Sequence, residues 1–185
     1  MNILVLYDEN QELTRRFREK GHNAFSCQEK ITDVSRKEWH ICCNPALIVN
    51  GITKFLSQNG ESHTFLSNSK WDMIVGFPPT VYNDREDEKV KNRLMNQFMQ
   101  IVKADCDKVM VLNQSNLISK EYKEPTQTVK EWWFGGEATK TIHIWSKGLK
   151  NLEQIVFSNK KNKNLIEKEP KNANGLIEQI AEQLG

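Results

Sequence analysis

Short apolar runs alternating with amphipathic stretches constrain this chain more than any other feature. "NILVLY" (2–7) is apolar throughout, as expected of a central parallel strand covered on both faces. In "DENQELTRRFREKG", Leu13 and Phe17 lie four apart, basic residues fill the last turns and Gly21 stands at the stop position, which predicts a helix. "NAFSC" (23–27) then reads as a second strand. A strand, a helix and a strand in such quick succession start an α/β sheet.

The pattern continues. "HICC" (40–43), "WDMIVGF" (71–77) and "KVMVL" (108–112) are the expected third, fourth and fifth strands. Between the last two, "DREDEKVKNRLMNQFMQIVKAD" carries Val90, Leu94, Phe98, Ile101 and Val102 at helical spacing, with its acids first. Residues 44–70 are ambiguous: "ALIVNGITKFL" is apolar, and "SQNGESHTFLSNSK" is polar with an Asn-Gly turn. "KTIHIWS" (140–146) alternates like a half-exposed edge strand. "NKKNKNLIEKEPKN" has the low complexity of a solvated connection. Leu176, Ile177, Ile180, Ala181 and Leu184 then fall on one face of a short helix expected to pack on the domain. The expected organisation is an α/β domain over 1–152, followed by a polar connection and C-terminal helix over 153–185, with no internal repeat.

Composition narrows the function classes. A chain of 185 residues is long enough for one domain with its own core. Its formal charge of +2 is too small to signal nucleic-acid binding by itself. No apolar run approaches the roughly 20 residues of a membrane span, and "MNILVLYDEN" turns acidic too soon for a signal peptide. No membrane partner and a cytoplasmic location are expected. Cys27, Cys42, Cys43 and Cys106 match no zinc spacing and read as free thiols of a reducing compartment; the four histidines are dispersed, so no metal is expected.

A doubly wound sheet places ligands at the carboxyl ends of its strands. Those ends are "YDEN", "CQEK", "CNPA", "FPPT" and "NQSN", most of them polar. None is a phosphate-cradling glycine loop, which disfavours dinucleotides and nucleoside triphosphates. Phe77-Pro78-Pro79-Thr80 raises its own question, because two prolines end a buried strand with a rigid backbone, either as a pocket lip or as a plain turn.

Four passages together resemble a known family. They are the first strand and helix with Gly21-His22, Ala24 and Ser26-Cys27; Trp71-Asp72 with Pro78-Pro79; "KVMVLN"; and "PTQTVKEWWFGGEATKTIHIWSKGL" (125–149), the most distinctive. In this order, over about residues 1–152, they resemble phage-encoded proteins similar to DNA (cytosine-5) methyltransferases. The resemblance implies a Rossmann-like, methyltransferase-type, mostly parallel sheet with helices on both faces. It implies S-adenosylmethionine as cofactor, held by Tyr7, Asp8, Glu9, Asn10 and Gln28, and DNA as partner. It sets Phe77, Pro78, Pro79 and Gln127 on the substrate side, and Thr80 and Asn113 at the catalytic positions.

The departures fall in those same positions. Thr80 stands where such proteins carry Cys, yet carbon-5 methylation needs a thiolate to add to carbon-6 of cytosine. A threonine hydroxyl is far too weakly acidic for that without a strong base. Leu112-Asn113-Gln114 replaces Glu-Asn-Pro, Gln28 replaces the acid that holds the cofactor ribose, and Cys43 or Asn44 replaces an aspartate. Amino-group methyltransferases use an aromatic residue directly after Pro-Pro, whereas here Tyr82 lies two beyond Thr80.

Two readings follow: a divergent methyltransferase-class enzyme without cytosine-5 activity, or a non-catalytic protein on the same scaffold that binds DNA, a nucleotide-like ligand or a host protein. Trp132, Trp133 and Phe134 beside Lys130 and Lys140 either stack bases or pack a loop on the core. Any DNA contact is expected from Lys130, Lys140, Lys147 and Lys150, weakly and with strong salt dependence.

Overall fold

The computed structural model describes residues 1–29, 35–52, 54–64, 70–80, 87–135, 140–155 and 175–185. Nine strands are described: β1 (Asn2–Leu6), β2 (Asn23–Gln28), β3 (His40–Cys42), β4 (Lys54–Leu56), β5 (Ser62–Thr64), β6 (Met73–Gly76), β7 (Val109–Asn113), β8 (Gln127–Lys130) and β9 (Thr141–Lys147). Four α-helices accompany them: α1 (Glu12–Glu19), α2 (Glu88–Val102), α3 (Leu117–Glu121) and α4 (Leu176–Leu184). Seven strands form one sheet in the order β3-β2-β1-β6-β7-β9-β8, and β4 and β5 form a separate hairpin. The pairs from β3 through β7 are all parallel, while β9 is antiparallel to both β7 and β8. The chain is thus α/β with a mostly parallel sheet.

Strand β1 shows why the sheet closes on both faces. Ile3 and Val5 enter one apolar cluster with Leu13 and Phe17 of α1 and Leu176, Ile180 and Leu184 of α4. Leu4 and Leu6 enter another with Leu94, Phe98 and Ile101 of α2. Burial of each such side chain contributes about 1.5–3 kcal/mol. Helix α2 begins under Asp87, whose carboxylate accepts the Lys89 amide at 3.0 Å. It packs close to β6 because Gly76 has no side chain: a Cβ there would lie 2.5 Å from Ile101 Cδ1. The hairpin seats Phe55 edge-on to Phe25, 4.9 Å between centroids, over Trp71.

Three expectations need correction or completion. β9 is not an edge strand; β8 covers it, and with Val129 as its one buried residue β8 is too short and polar to announce itself. Val90 is exposed, since the apolar stripe of α2 starts a turn later at Leu94. Within the ambiguous stretch, residues 54–64 form the β4–β5 hairpin, turning at Asn59-Gly60. Helix α4 packs against α1 within the same core, as expected, while "NKKNKNLIEKEPKN" lies outside the described residues. No helix among the described residues is long and apolar enough to cross a membrane.

Candidate functional site

From β1 the chain works outward through β2 to β3, then returns to β6 on the other side of β1. Strand order therefore reverses between β1 and β6, where the carboxyl ends of the strands diverge and leave a crevice. A cleft of about 1000 Å³ opens there. Tyr7 to Asn10 line it after β1, Gln28 and Glu29 after β2, Phe77 to Thr80 after β6, and Leu112 to Gln114 at the end of β7. Arg93 and Gln97 of α2 form one wall, and Glu131, Gly135, Ile142 and the start of α4 form the other.

Several of these residues are fixed by their own backbone surroundings. Tyr7 holds a left-handed conformation (φ 62°), uncommon for an aromatic residue, while its amide extends the β1–β2 pairing to the Cys27 carbonyl at 3.0 Å. Its hydroxyl is pushed up to about 12, first by burial and then by the nearby Cys27 and Glu29, so it stays a neutral donor. The Asp8 carboxylate turns toward α1, accepting from the Thr14 amide at 2.9 Å, the Thr14 hydroxyl at 2.8 Å and the Glu12 amide at 3.2 Å. Burial raises its pKa, and these donors act against that rise. Asp8 thus satisfies free amides of the helix start.

The Pro-Pro break has a specific support. Asn113, buried at the end of β7, donates through Nδ2 to the Pro78 carbonyl at 2.8 Å and more weakly to that of Pro79 at 3.4 Å. Its Oδ1 accepts the Ser115 amide at 2.8 Å. The prolines supply no amide hydrogens, and the neighbouring strand end fixes their carbonyls instead. Phe-Pro-Pro-Thr is the lip of a cleft. Pro79 is exposed and Thr80 half-buried on that lip.

Ten of the residues singled out from sequence therefore meet in one place: Tyr7, Asp8, Glu9, Asn10, Gln28, Phe77, Pro78, Pro79, Thr80 and Asn113. Gln127 does not join them. It exchanges two hydrogen bonds with the Leu152 backbone, at 2.8 and 2.9 Å, and so clamps the chain leaving β9. The lysines do not form one patch. Lys130 and Lys140 meet at the β8–β9 turn, while Lys147 pairs with Val109 at the far end of β9, roughly 20 Å away at about 3.4 Å per residue. Trp132 and Trp133 are half-buried and edge-to-face, with Trp133 packed on the core.

Gln97 is the residue sequence reasoning missed. It is 8% exposed, and its Oε1 has no hydrogen-bond partner among the described residues. A polar side chain inside the stripe Leu94–Phe98–Ile101 was the available signal. The charged groups of the lining are unbalanced: Asp8, Glu9, Glu12, Glu29 and Glu131 face Arg93 alone among its described residues. No thiol lines the cleft, and no metal-binding cluster occurs, among the described residues. No protein-family model matches this chain, and a comparison with curated proteins found no match either.

Proposed function

We propose that this chain is a phage-type, methyltransferase-like protein whose cleft binds S-adenosylmethionine, or a ligand of similar size and charge, and that it does not methylate cytosine at carbon-5. The observation that carries this reading is the cleft itself: it opens at the strand-order reversal and, among the described residues, contains a buried amide carbonyl without a partner and no thiol. The mostly parallel sheet with helices on both faces supports a methyltransferase-type scaffold of the Rossmann kind.

The lining fits such a ligand. Its volume of about 1000 Å³ lies at the upper end of small-molecule sites. The excess of carboxylates favours a sulfonium or ammonium cation and opposes phosphates. Tyr7 and Phe77 offer ring surfaces, and the Tyr7 phenol and Gln97 carbonyl supply a donor and an acceptor. Gln28 would hold ribose hydroxyls by neutral hydrogen bonds, weaker than those of a carboxylate. When bound, S-adenosylmethionine supplies an activated methyl group. Thr80 on the lip lacks the acidity to start cytosine-5 chemistry.

A second reading, a binding protein without catalysis, draws on Asp8 and Asn113. Both polar side chains are committed to backbone groups. Two assays test the ligand and then separate the readings. A rise in melting temperature with S-adenosylmethionine or its demethylated product is expected in either case, and its absence would refute the ligand. Transfer of a labelled methyl group to carbon-5 of unmodified DNA would refute the loss of that activity, whereas transfer to another acceptor would favour an enzyme over a binding protein. The carboxylate-rich lining supports only weak DNA binding, which a gel shift at increasing salt would test.

A further inference from the structure

Three cysteines converge where β2 and β3 end, beside the cleft but outside its lining. Cys27 Sγ lies 3.9 Å from Cys43 Sγ and 3.6 Å from the Cys43 carbonyl oxygen. Cys27 is fully buried in the α2-side core, while Cys43 is half-buried at its margin. Cys42 is directed elsewhere, its Sγ 3.6 Å from the Glu29 carbonyl. Cys106 is buried and donates to the Trp71 carbonyl at 3.2 Å.

We infer that Cys27 and Cys43 form a thiol–disulfide exchange site, which a low-molecular-weight disulfide such as oxidised glutathione converts to an intramolecular disulfide. The Cys43 thiolate attacks one sulfur of the small disulfide, whose S–S bond breaks to release one small thiolate that takes up a proton. Cys27 Sγ then attacks Cys43 Sγ, displacing the second small thiolate, which receives the Cys27 proton. Two protein thiols are oxidised, and one disulfide is reduced to two thiols.

Three features assign the roles. Cys43 is the accessible partner, so it meets the reagent first. Accepting the Cys27 S–H lowers the Cys43 pKa, while donating it, together with burial, raises that of Cys27. Closing from 3.9 Å to a bond of about 2 Å needs a small displacement. Because β3 ends at Cys42, that displacement falls on the segment beyond the ladder. The bond would tie that segment to the strand whose Cys27 carbonyl holds the Tyr7 amide.

The test is to incubate the reduced full chain with oxidised glutathione, alkylate it, and measure intact mass and proteolytic fragments. The expected product has lost two hydrogens, carries two alkyl groups, and joins the Cys27 and Cys43 peptides. Cys42→Ser should leave this unchanged, whereas Cys43→Ser, at a half-exposed position expected to tolerate it, should abolish the cross-link. Cys27→Ala should trap a glutathione adduct on Cys43; if that variant fails to fold, the other two decide. Four alkylated thiols in the treated wild type, loss of two hydrogens in Cys43→Ser, or loss of the cross-link in Cys42→Ser would overturn the assignment.

Discussion

At the amino-terminal edge of the sheet Asp72 accepts the Asn2 amide at 2.6 Å and Lys70 pairs with Asp105, contacts that lie at the surface around a depression of about 550 Å³. At the carboxyl edge Asp8, Gln11 and Asn113 make comparable contacts at part-buried or buried positions, and Asp8 and Asn113 also line a cleft of about 1000 Å³. Gln11, 2% exposed and left-handed, donates to Ser26 Oγ and the Arg36 carbonyl and accepts the Arg36 amide. The same residue types trim a surface at one end and build loops at the other. What separates scaffold from ligand site at the carboxyl end is then which polar groups are already spoken for. Asp8 and Asn113 are; the Gln97 carbonyl has no described partner.

Substitutions can break this contrast, starting at Asn113. Asn113→Leu leaves the Pro78 carbonyl and the Ser115 amide unpaired, and should cost about 3 kcal/mol at a buried site. Urea unfolding measures it, and a loss below about 1 kcal/mol would mean that the lip stands without Asn113. Asp8→Ala removes three donors' acceptor at the α1 start and should cost about 1–2 kcal/mol by the same measurement.

Acidification should act next. Burial is the leading cause holding His22, His40, His63 and His143 below their ordinary value of 6.5. The unfolded chain therefore binds protons first, so stability present above about 6.5 is lost as pH falls from there toward the folded-state values. His40 is the most buried of the four, with Nδ1 2.8 Å from Ser26 Oγ. His40→Asn should flatten the decline, and an unchanged pH profile would mean that His40 does not contribute to it. Gln97→Leu should do the opposite of the first two changes and raise stability by about 1 kcal/mol, since it replaces a buried carbonyl that has no partner among the described residues with apolar surface. At the other end of the sheet, Lys70→Ala should give no measurable change.

The legible part of this molecule was its strands and strand ends. Five apolar runs are long and uniform enough to identify the parallel strands, and a parallel sheet fixes where their ends gather, so ten candidate residues could be brought to one cleft before any coordinates. Roles were less legible than places. Asp8 and Asn113 read as ligand-facing residues because sequence shows a polar group at a strand end and not the amide it is aimed at. The contact that Gln127 makes was not legible either, because its partner, the Leu152 backbone, lies 25 residues on and has no sequence signature. β8 escaped notice because an edge strand with one buried residue carries almost no alternation.

The proposed ligand of the cleft at the β1–β6 reversal is a cationic nucleoside of the S-adenosylmethionine class. Calorimetric titration of S-adenosylmethionine into wild-type protein and Gln97→Leu decides whether it binds there. One-to-one binding to the wild type, clearly weakened in a Gln97→Leu variant of equal or greater stability, is the expected result. No binding heat at several temperatures, or equal affinity for both proteins, would contradict it.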